Sequence, residues 1–217
     1  VSRREPLSRD KVLDAALALA AEEGLDGLTM RRLAKKLGVE AMSLYRHVSN
    51  KADILDGIAE RVFSQIDRPD PALPWHGQVR AMALGTYRAF ARHPVVPMAL
   101  ATDQANPRTL AALRPLDDLV GALFQAGFDD AGVRRAMAAV NSLIFGSLML
   151  TTAGFTSDDF YGDIDRQQLD GYLRRVDPAQ LPHFSRLLAL VPDTDREKDF
   201  EAALDMLITG LVAAAER

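Results

Sequence analysis

Between Gly27 and Lys51 the chain reads GLTMRRLAKKLGVEAMSLYRHVSNK, and its polar groups are of the kinds that hydrogen-bond phosphates and base edges. Ser43 and Tyr45 carry hydroxyls that can donate to a phosphate, and Arg46 and His47 can reach a phosphate or a base. Small Ala41 and apolar Met42 suit contact with a thymine methyl. Arg31 is long enough to grip a guanine edge with two bonds, and Thr29 and Lys51 stand where helix amides and side chains meet phosphates. Between Gly27 and Ala52 there are six Lys or Arg (Arg31, Arg32, Lys35, Lys36, Arg46, Lys51) against one acid, Glu40, although the whole chain carries a net charge of -4. A local basic patch on an acidic chain implies contact with DNA at one end and excludes wholesale coating of nucleic acid.

Such side chains need elements to aim them. Thr29 is placed to cap a helix whose apolar residues Met30, Leu33, Ala34 and Leu37 recur at helical spacing, and Gly38 ends it with the left-handed backbone of a tight turn. A short helix over 41–48 follows, with Leu44 and Val48 turned inward. Two short helices joined around a glycine cross steeply, which frees the outer face of the second for the major groove. Before them, a helix is expected from a Ser8 cap through Val12, Ala16 and Leu19 to a Gly24 stop. After them, Asn50 caps a longer helix over 51–66, with Asp53 in its first turn where the helix dipole favours an acid. The rival reading, a solvated amphipathic pair, leaves the coincidence of turn, caps, apolar spacing and charge segregation unexplained.

Composition fixes the setting. The chain has 217 residues, of which 48% are hydrophobic and only 6% aromatic; abundant Ala and Leu in stretches broken at Gly and Pro predict an all-α fold. There is no cysteine, so disulfides and thiolate metal sites are excluded. Residues 1–6 are polar and no apolar run of about 18 residues occurs, so neither a signal peptide nor a membrane span is expected, and a cytoplasmic setting follows. Residues 67–74 hold three prolines and two aspartates and read as a boundary. The expected organisation is therefore a three-helix helix-turn-helix domain over 1–50, a connecting helix over 51–66, and a larger helical domain over 67–217. Within the latter, helices are expected over 75–91, 95–101, 109–126, 131–152, 178–190 and 196–216, with a flexible loop over 154–165.

KVLDAALALAAEEGLDGLTMRRLAKKLGV, SLYRHVSNK and ADILDGIAE together resemble the tetracycline-repressor (TetR) family. The resemblance extends more weakly to QAGFDDAGVRRAMAAVNSLIFGSLML and FEAALDMLITGLV, similar to the dimer-forming helices of the family founder. It implies Arg31, Ser43, Tyr45, His47 and Lys51 as DNA contacts with Thr29 at a phosphate, while Ala41, Met42 and Arg46 occupy groove-facing positions that vary with the operator. It implies a homodimeric repressor of double-stranded operator DNA whose C-terminal part binds a small-molecule inducer.

The segment 131–152 is apolar around most of its circumference, and the last helix is similar, so both must be buried on more than one side. A four-helix bundle built by two subunits would do this through Met137, Ile144, Leu148, Leu204, Ile208 and Leu211; an ordinary monomer core is the alternative. Candidate ligand contacts are Phe90, His93, Met98, Leu113, Leu116, Asn141 and Phe145, with Ser142, Ser147 and Thr151 as further polar groups on the same greasy helix. His93, before Pro94, reads as a helix-end residue whose charge suits that end of the dipole. The founder binds a metal chelate of tetracycline through histidines, but the matching positions here fall at Asp67 or Arg68 and near Met98, so that ligand is not expected. No metal site, cofactor or catalytic constellation is read from the sequence, so an enzyme is not expected. A DNA-binding protein without any ligand is the remaining rival.

Overall fold

The structure, a computed structural model, describes residues 6–152, 179–188 and 195–216. These residues form ten helices: α1 (Arg9–Gly27), α2 (Met30–Leu37), α3 (Ala41–Leu44), α4 (Lys51–Ser64), α5 (Trp75–Arg92), α6 (Val95–Ala101), α7 (Leu110–Gln125), α8 (Asp130–Thr152), α9 (Pro182–Leu188) and α10 (Arg196–Ala215). The all-α expectation is met. The chain divides into two compact units, Val1–Arg134 and Arg135–Arg217.

In the first unit the local signals act as expected. The Ser8 and Thr29 hydroxyls and the Asn50 amide oxygen each accept from a backbone N–H in the first turn of α1, α2 and α4. Gly24, at φ 71°, interrupts α1, and Gly38, at φ 65°, closes α2; an L-residue with a side chain avoids that region. The second helix of the pair is shorter than the expected 41–48. Regular helix ends at Leu44, and the chain continues as a turn in which the His47 and Val48 amides both donate to the Leu44 carbonyl, at 2.8 and 3.0 Å.

The core of this unit is organised around α4, which packs on α1, α5, α6 and α7. Ile54, Leu55, Ile58, Ala59 and Val62 are buried, and each large aliphatic among them contributes roughly 1.5–3 kcal/mol by leaving water. Helix α4 is therefore embedded among its neighbours. Where α1 crosses it, the absence of a side chain at Gly57 lets the two helices approach; a Cβ there would meet Leu13 Cδ1 at 2.9 Å.

In the second unit α10 starts at an Asp195 cap and buries Phe200, Leu204, Ile208 and Leu211, one helical stripe. Its opposite side, including Ala202, Met206, Thr209, Gly210 and Ala213, is exposed. The expected loop over 154–165 lies outside the described residues, as do the Thr151 side chain and parts of the expected helix over 178–190.

Candidate nucleic-acid interface

The turn between α2 and α3 explains why the second helix presents one face. The Gly38 amide donates to the Lys35 carbonyl at 3.1 Å and the Val39 amide to the Ala34 carbonyl at 3.0 Å, satisfying carbonyls that a helix end leaves free. Leu33, Ala34, Leu44 and Val48 are then buried, fixing the inner side of the pair. On the outer side Met42 is 75% exposed and Tyr45 47% exposed, Thr29, Arg31 and Arg46 are exposed, and Ala41, Ser43 and His47 are half-buried. The structure thus brings the candidate DNA contacts of α2 and α3 to one end of the unit. The Thr29 hydroxyl oxygen is already engaged as the cap of α2, accepting from the Arg32 amide at 3.2 Å.

The charge at this end is smaller than the sequence window suggested. Arg32 pairs with Glu23, and Lys36 pairs with Glu22 at 2.6 and 2.8 Å. Those glutamates lie on α1, outside the counted window, so the local excess of six cations over one acid is corrected downward. Lys51 is drawn inward: its ammonium donates to the Leu25 carbonyl, which also accepts from the Leu28 amide at the end of α1. The residue read as a phosphate contact therefore also ties α4 to the end of α1. Among the described residues Arg31, Lys35 and Arg46 are exposed cations with no ion pair to a protein acid.

Two residues at this end were not identified as site residues from the sequence. Arg9, the first residue of α1, forks onto the Asp53 carboxylate at 2.6 and 3.2 Å and donates to the His47 carbonyl at 3.0 Å. Asp53 also accepts from the Ser49 amide at 2.7 Å. The guanidinium and the Ser49 amide hold the Asp53 carboxyl below its usual range, and the carboxylate raises Arg9 above its own. The sequence marked Asp53 only as an acid suited to the start of α4. Arg9 carried no signal, because its partners lie 38 and 44 residues away.

The candidate ligand residues differ in exposure. Phe90 is buried and meets Phe63 of α4 edge-on, with centroids 5.5 Å apart. Met98 on α6 is half-buried, whereas Leu113 and Leu116 on α7 are each 46% exposed. In the second unit Asn141 is exposed and Phe145 half-buried. His93 does end α5, but burial first and Arg92 second lower its pKa; the expectation of a charged histidine suited to the dipole is corrected, because burial and Arg92 favour the neutral ring. Ile144, Leu148, Leu204, Ile208 and Leu211 are already covered within the single chain, and Met137 is half-covered. A covered side chain has little surface left to bury against a second copy.

A polar cleft of about 450 Å³ opens beside the Arg9–Asp53 pair, lined by Arg9, Asp53, Asp56, Glu60, Asn106, Arg108 and Thr109. Across it the Asp56 carboxylate accepts from the Asn106 amide at 2.5 Å. Arg68, one of the positions matched to a founder histidine, pairs with Asp118 of α7. Among the described residues no cluster of three His, Asp or Glu could hold a metal ion, and no helix is long and apolar enough to cross a membrane.

A capped helix-turn-helix with a polar outer face, on an all-α chain, defines the class of helix-turn-helix DNA-binding regulators. Residues 12–58 match the family described as bacterial regulatory proteins, tetR family, and residues 68–215 match the tetracyclin repressor-like C-terminal domain. The chain is 31% identical over 219 residues to an HTH-type transcriptional regulator of Saccharopolyspora erythraea, covering 99% of this chain and 89% of that one. It is 30% identical over 218 residues to the class A tetracycline repressor protein from transposon 1721 of Escherichia coli, covering 94% and 90%. Among solved structures, the Streptomyces coelicolor TetR family protein ActR in complex with actinorhodin superposes with a TM-score of 0.76 at 26% identity, covering 98% of this chain and all of that one. The chain belongs to the TetR family of transcriptional regulators.

Proposed function

We propose that this TetR-family regulator is a homodimeric repressor that grips a palindromic operator with two copies of the α2–α3 pair and releases it when a small molecule binds. The observation that carries the reading is the segregation at the turn: Leu33, Ala34, Leu44 and Val48 buried, with Arg31, Met42, Tyr45 and Arg46 outward. In this reading Arg31 reads a base edge, Ser43, Tyr45 and Thr29 meet phosphates, and Ala41, Met42, Arg46 and His47 face the groove. Lys51 reaches phosphate from the edge. One reading head buries too little to bind tightly, so two symmetric heads on symmetric half-sites are required. The outward stripe of α10, Ala202, Met206, Thr209, Gly210 and Ala213, supplies surface for the second copy beside the covered residues Leu204, Ile208 and Leu211. Met137, Ile144 and Leu148 of α8 stiffen the same bundle.

Residues 1–50 serve as the reading head, 51–66 as the connecting helix and 67–217 as the sensing and dimerising part. Ligand relief is supported by the ties of α4 to the helices that follow it: Asp56 to Asn106, Phe63 to Phe90, and Arg68 just beyond α4 to Asp118. A molecule that shifts α5, α6 or α7 therefore moves α4 and the head it carries. Phe90, His93 and Met98 are the contacts favoured in the first unit, and Asn141 and Phe145 in the second. The complex of ActR with actinorhodin supports a small-molecule ligand of this kind. Tenfold to hundredfold release requires about 1.4–2.7 kcal/mol of preference for the released arrangement. The protein acts in the cytoplasm, where its DNA is, and performs no catalysis.

The test is selection of duplexes from a random pool by the full chain, with the mass of the complex measured alongside. A palindrome bound by an even number of chains is expected. A single asymmetric half-site bound by one chain would sink the dimer reading.

A further inference from the structure

Helix α3 is a single turn, Ala41–Leu44, and a helix so short has no stability of its own. Its aim must come from outside. Leu44 and Val48 fix its inner side, but its far end, where His47 and Ser49 lead into α4, is exposed or half-buried backbone. Here the Arg9 guanidinium donates to the His47 carbonyl at 3.0 Å and forks onto the Asp53 carboxylate, which accepts the Ser49 amide at 2.7 Å. Asp53 is itself held in place, because its own amide donates to the Asn50 side chain at 2.9 Å. One ion pair thereby joins three elements: the start of α1, the end of the recognition segment, and the first turn of α4.

Gly57 eases the reach. A Cβ at that position would lie 3.2 Å from Arg9 Nη2 and 2.9 Å from Leu13 Cδ1, so the bare backbone leaves room for the guanidinium to lie along α4 without those side chains shifting. Arginine suits the task, since its planar fork can satisfy a carboxylate and a carbonyl at once where an ammonium offers a point charge.

We propose that Arg9 and Asp53 are a positioning pair for operator recognition, setting the aim of the recognition segment without touching the duplex. The proposal rests on the DNA-reading assignment above. It distinguishes two fates for affinity: a side chain that touches phosphate contributes to every sequence and to the salt dependence, whereas one that sets the aim matters where base edges must be met.

The experiment uses the full chain, a duplex that the wild-type protein selects from a random pool, and a random-sequence duplex. Arg9→Ala should weaken the selected duplex on the order of tenfold or more, the loss of a misaligned base contact. Random-duplex affinity should stay within about twofold, and the slope of affinity against salt should not change. Asp53→Ala should do the same, and the double variant should lose no more than the worse single. Arg9→Lys, which keeps the charge and guards against a folding defect in Arg9→Ala, should fall between Arg9→Ala and wild type. Equal loss on both duplexes with a shallower salt slope would make Arg9 a phosphate contact and overturn the proposal, as would unchanged affinity for the selected duplex in Arg9→Ala. Failure of the wild-type protein to enrich any sequence would overturn the DNA-reading assignment and the pair with it, before any variant is compared.

Discussion

Arg68, just beyond α4, closes a two-pronged ion pair with Asp118 of α7, through Nε at 2.7 Å and Nη2 at 2.6 Å. Asp118 is largely covered while Arg68 is open to solvent. With the Arg68 guanidinium open to solvent the pair adds little to global stability, so its effect is local: it pins the corner where the connecting helix ends. Asp118→Asn should leave the melting temperature nearly unchanged and speed amide exchange in peptides spanning 64–72, read by mass spectrometry. Unaltered exchange would show that the proline-rich corner is held by its other contacts.

Arg31→Ala and Tyr45→Phe should separate base reading from phosphate contact. Both side chains are exposed on the outer face. The first should cost about 1–3 kcal/mol per half-site and relax sequence preference, and the second should weaken all sequences alike. Fluorescence anisotropy with selected and random duplexes measures both. Equal losses on the two duplexes for Arg31→Ala would remove its base-reading role.

Gly57→Ala tests the close crossing of α1 over α4. Alanine is the better helix former by about 1 kcal/mol, so an open site would be stabilised. Here the added methyl carbon meets Leu13 Cδ1 at 2.9 Å, and overpacking costs typically 1–3 kcal/mol. A lowered midpoint in urea is expected. A raised midpoint would mean that Leu13 moves aside at no cost.

His93 gives stability a pH dependence whose sign follows from its lowered pKa. Burial, and secondarily Arg92, disfavour the charged ring in the folded chain, so the unfolded chain takes up its proton first. The contribution is therefore complete above the ordinary histidine value of about 6.5, falls as pH drops through it, and levels off below the folded value. Urea midpoints between pH 7.5 and 5 should fall more in the wild type than in His93→Gln. Parallel curves would assign the acid sensitivity to other groups.

Met206 and Leu204 should respond differently to a charge. Met206 is 71% exposed and Leu204 fully covered, so Leu204→Asp should unfold the second unit and Met206→Asp should leave it folded but monomeric. Circular dichroism and sedimentation velocity separate the two results. A folded, dimeric Met206→Asp chain would move the dimer contact away from this stripe of α10.

The contrast between what was legible in the sequence and what was not follows distance along the chain. Ser8, Thr29 and Asn50 each bond an amide three residues on, and Gly24 and Gly38 act on their own backbone, so residue type and position sufficed. The shortness of α3 was hidden because Leu44 and Val48 keep helical spacing through a turn that is no longer regular helix. The pairing of Arg32 and Lys36 with Glu23 and Glu22 depends on how α2 lies against α1, and a count along the chain does not contain that angle. Arg9 and Asp53 lie 44 residues apart, and only the α1–α4 crossing, permitted by Gly57, brings them together. The partial burial that lowers the His93 pKa is likewise a property of the packed unit.

The two ion pairs between α2 and α1 bear on how the protein searches a chromosome. In the proposed complex a cation already paired with Glu22 or Glu23 adds less to sequence-independent attraction, which then falls more to cations such as Lys35 and Lys51. Since random sequence outnumbers true operators by millions to one, a looser hold on random sequence would limit titration by it, and in the proposed complex discrimination rests on the few side chains assigned to base edges.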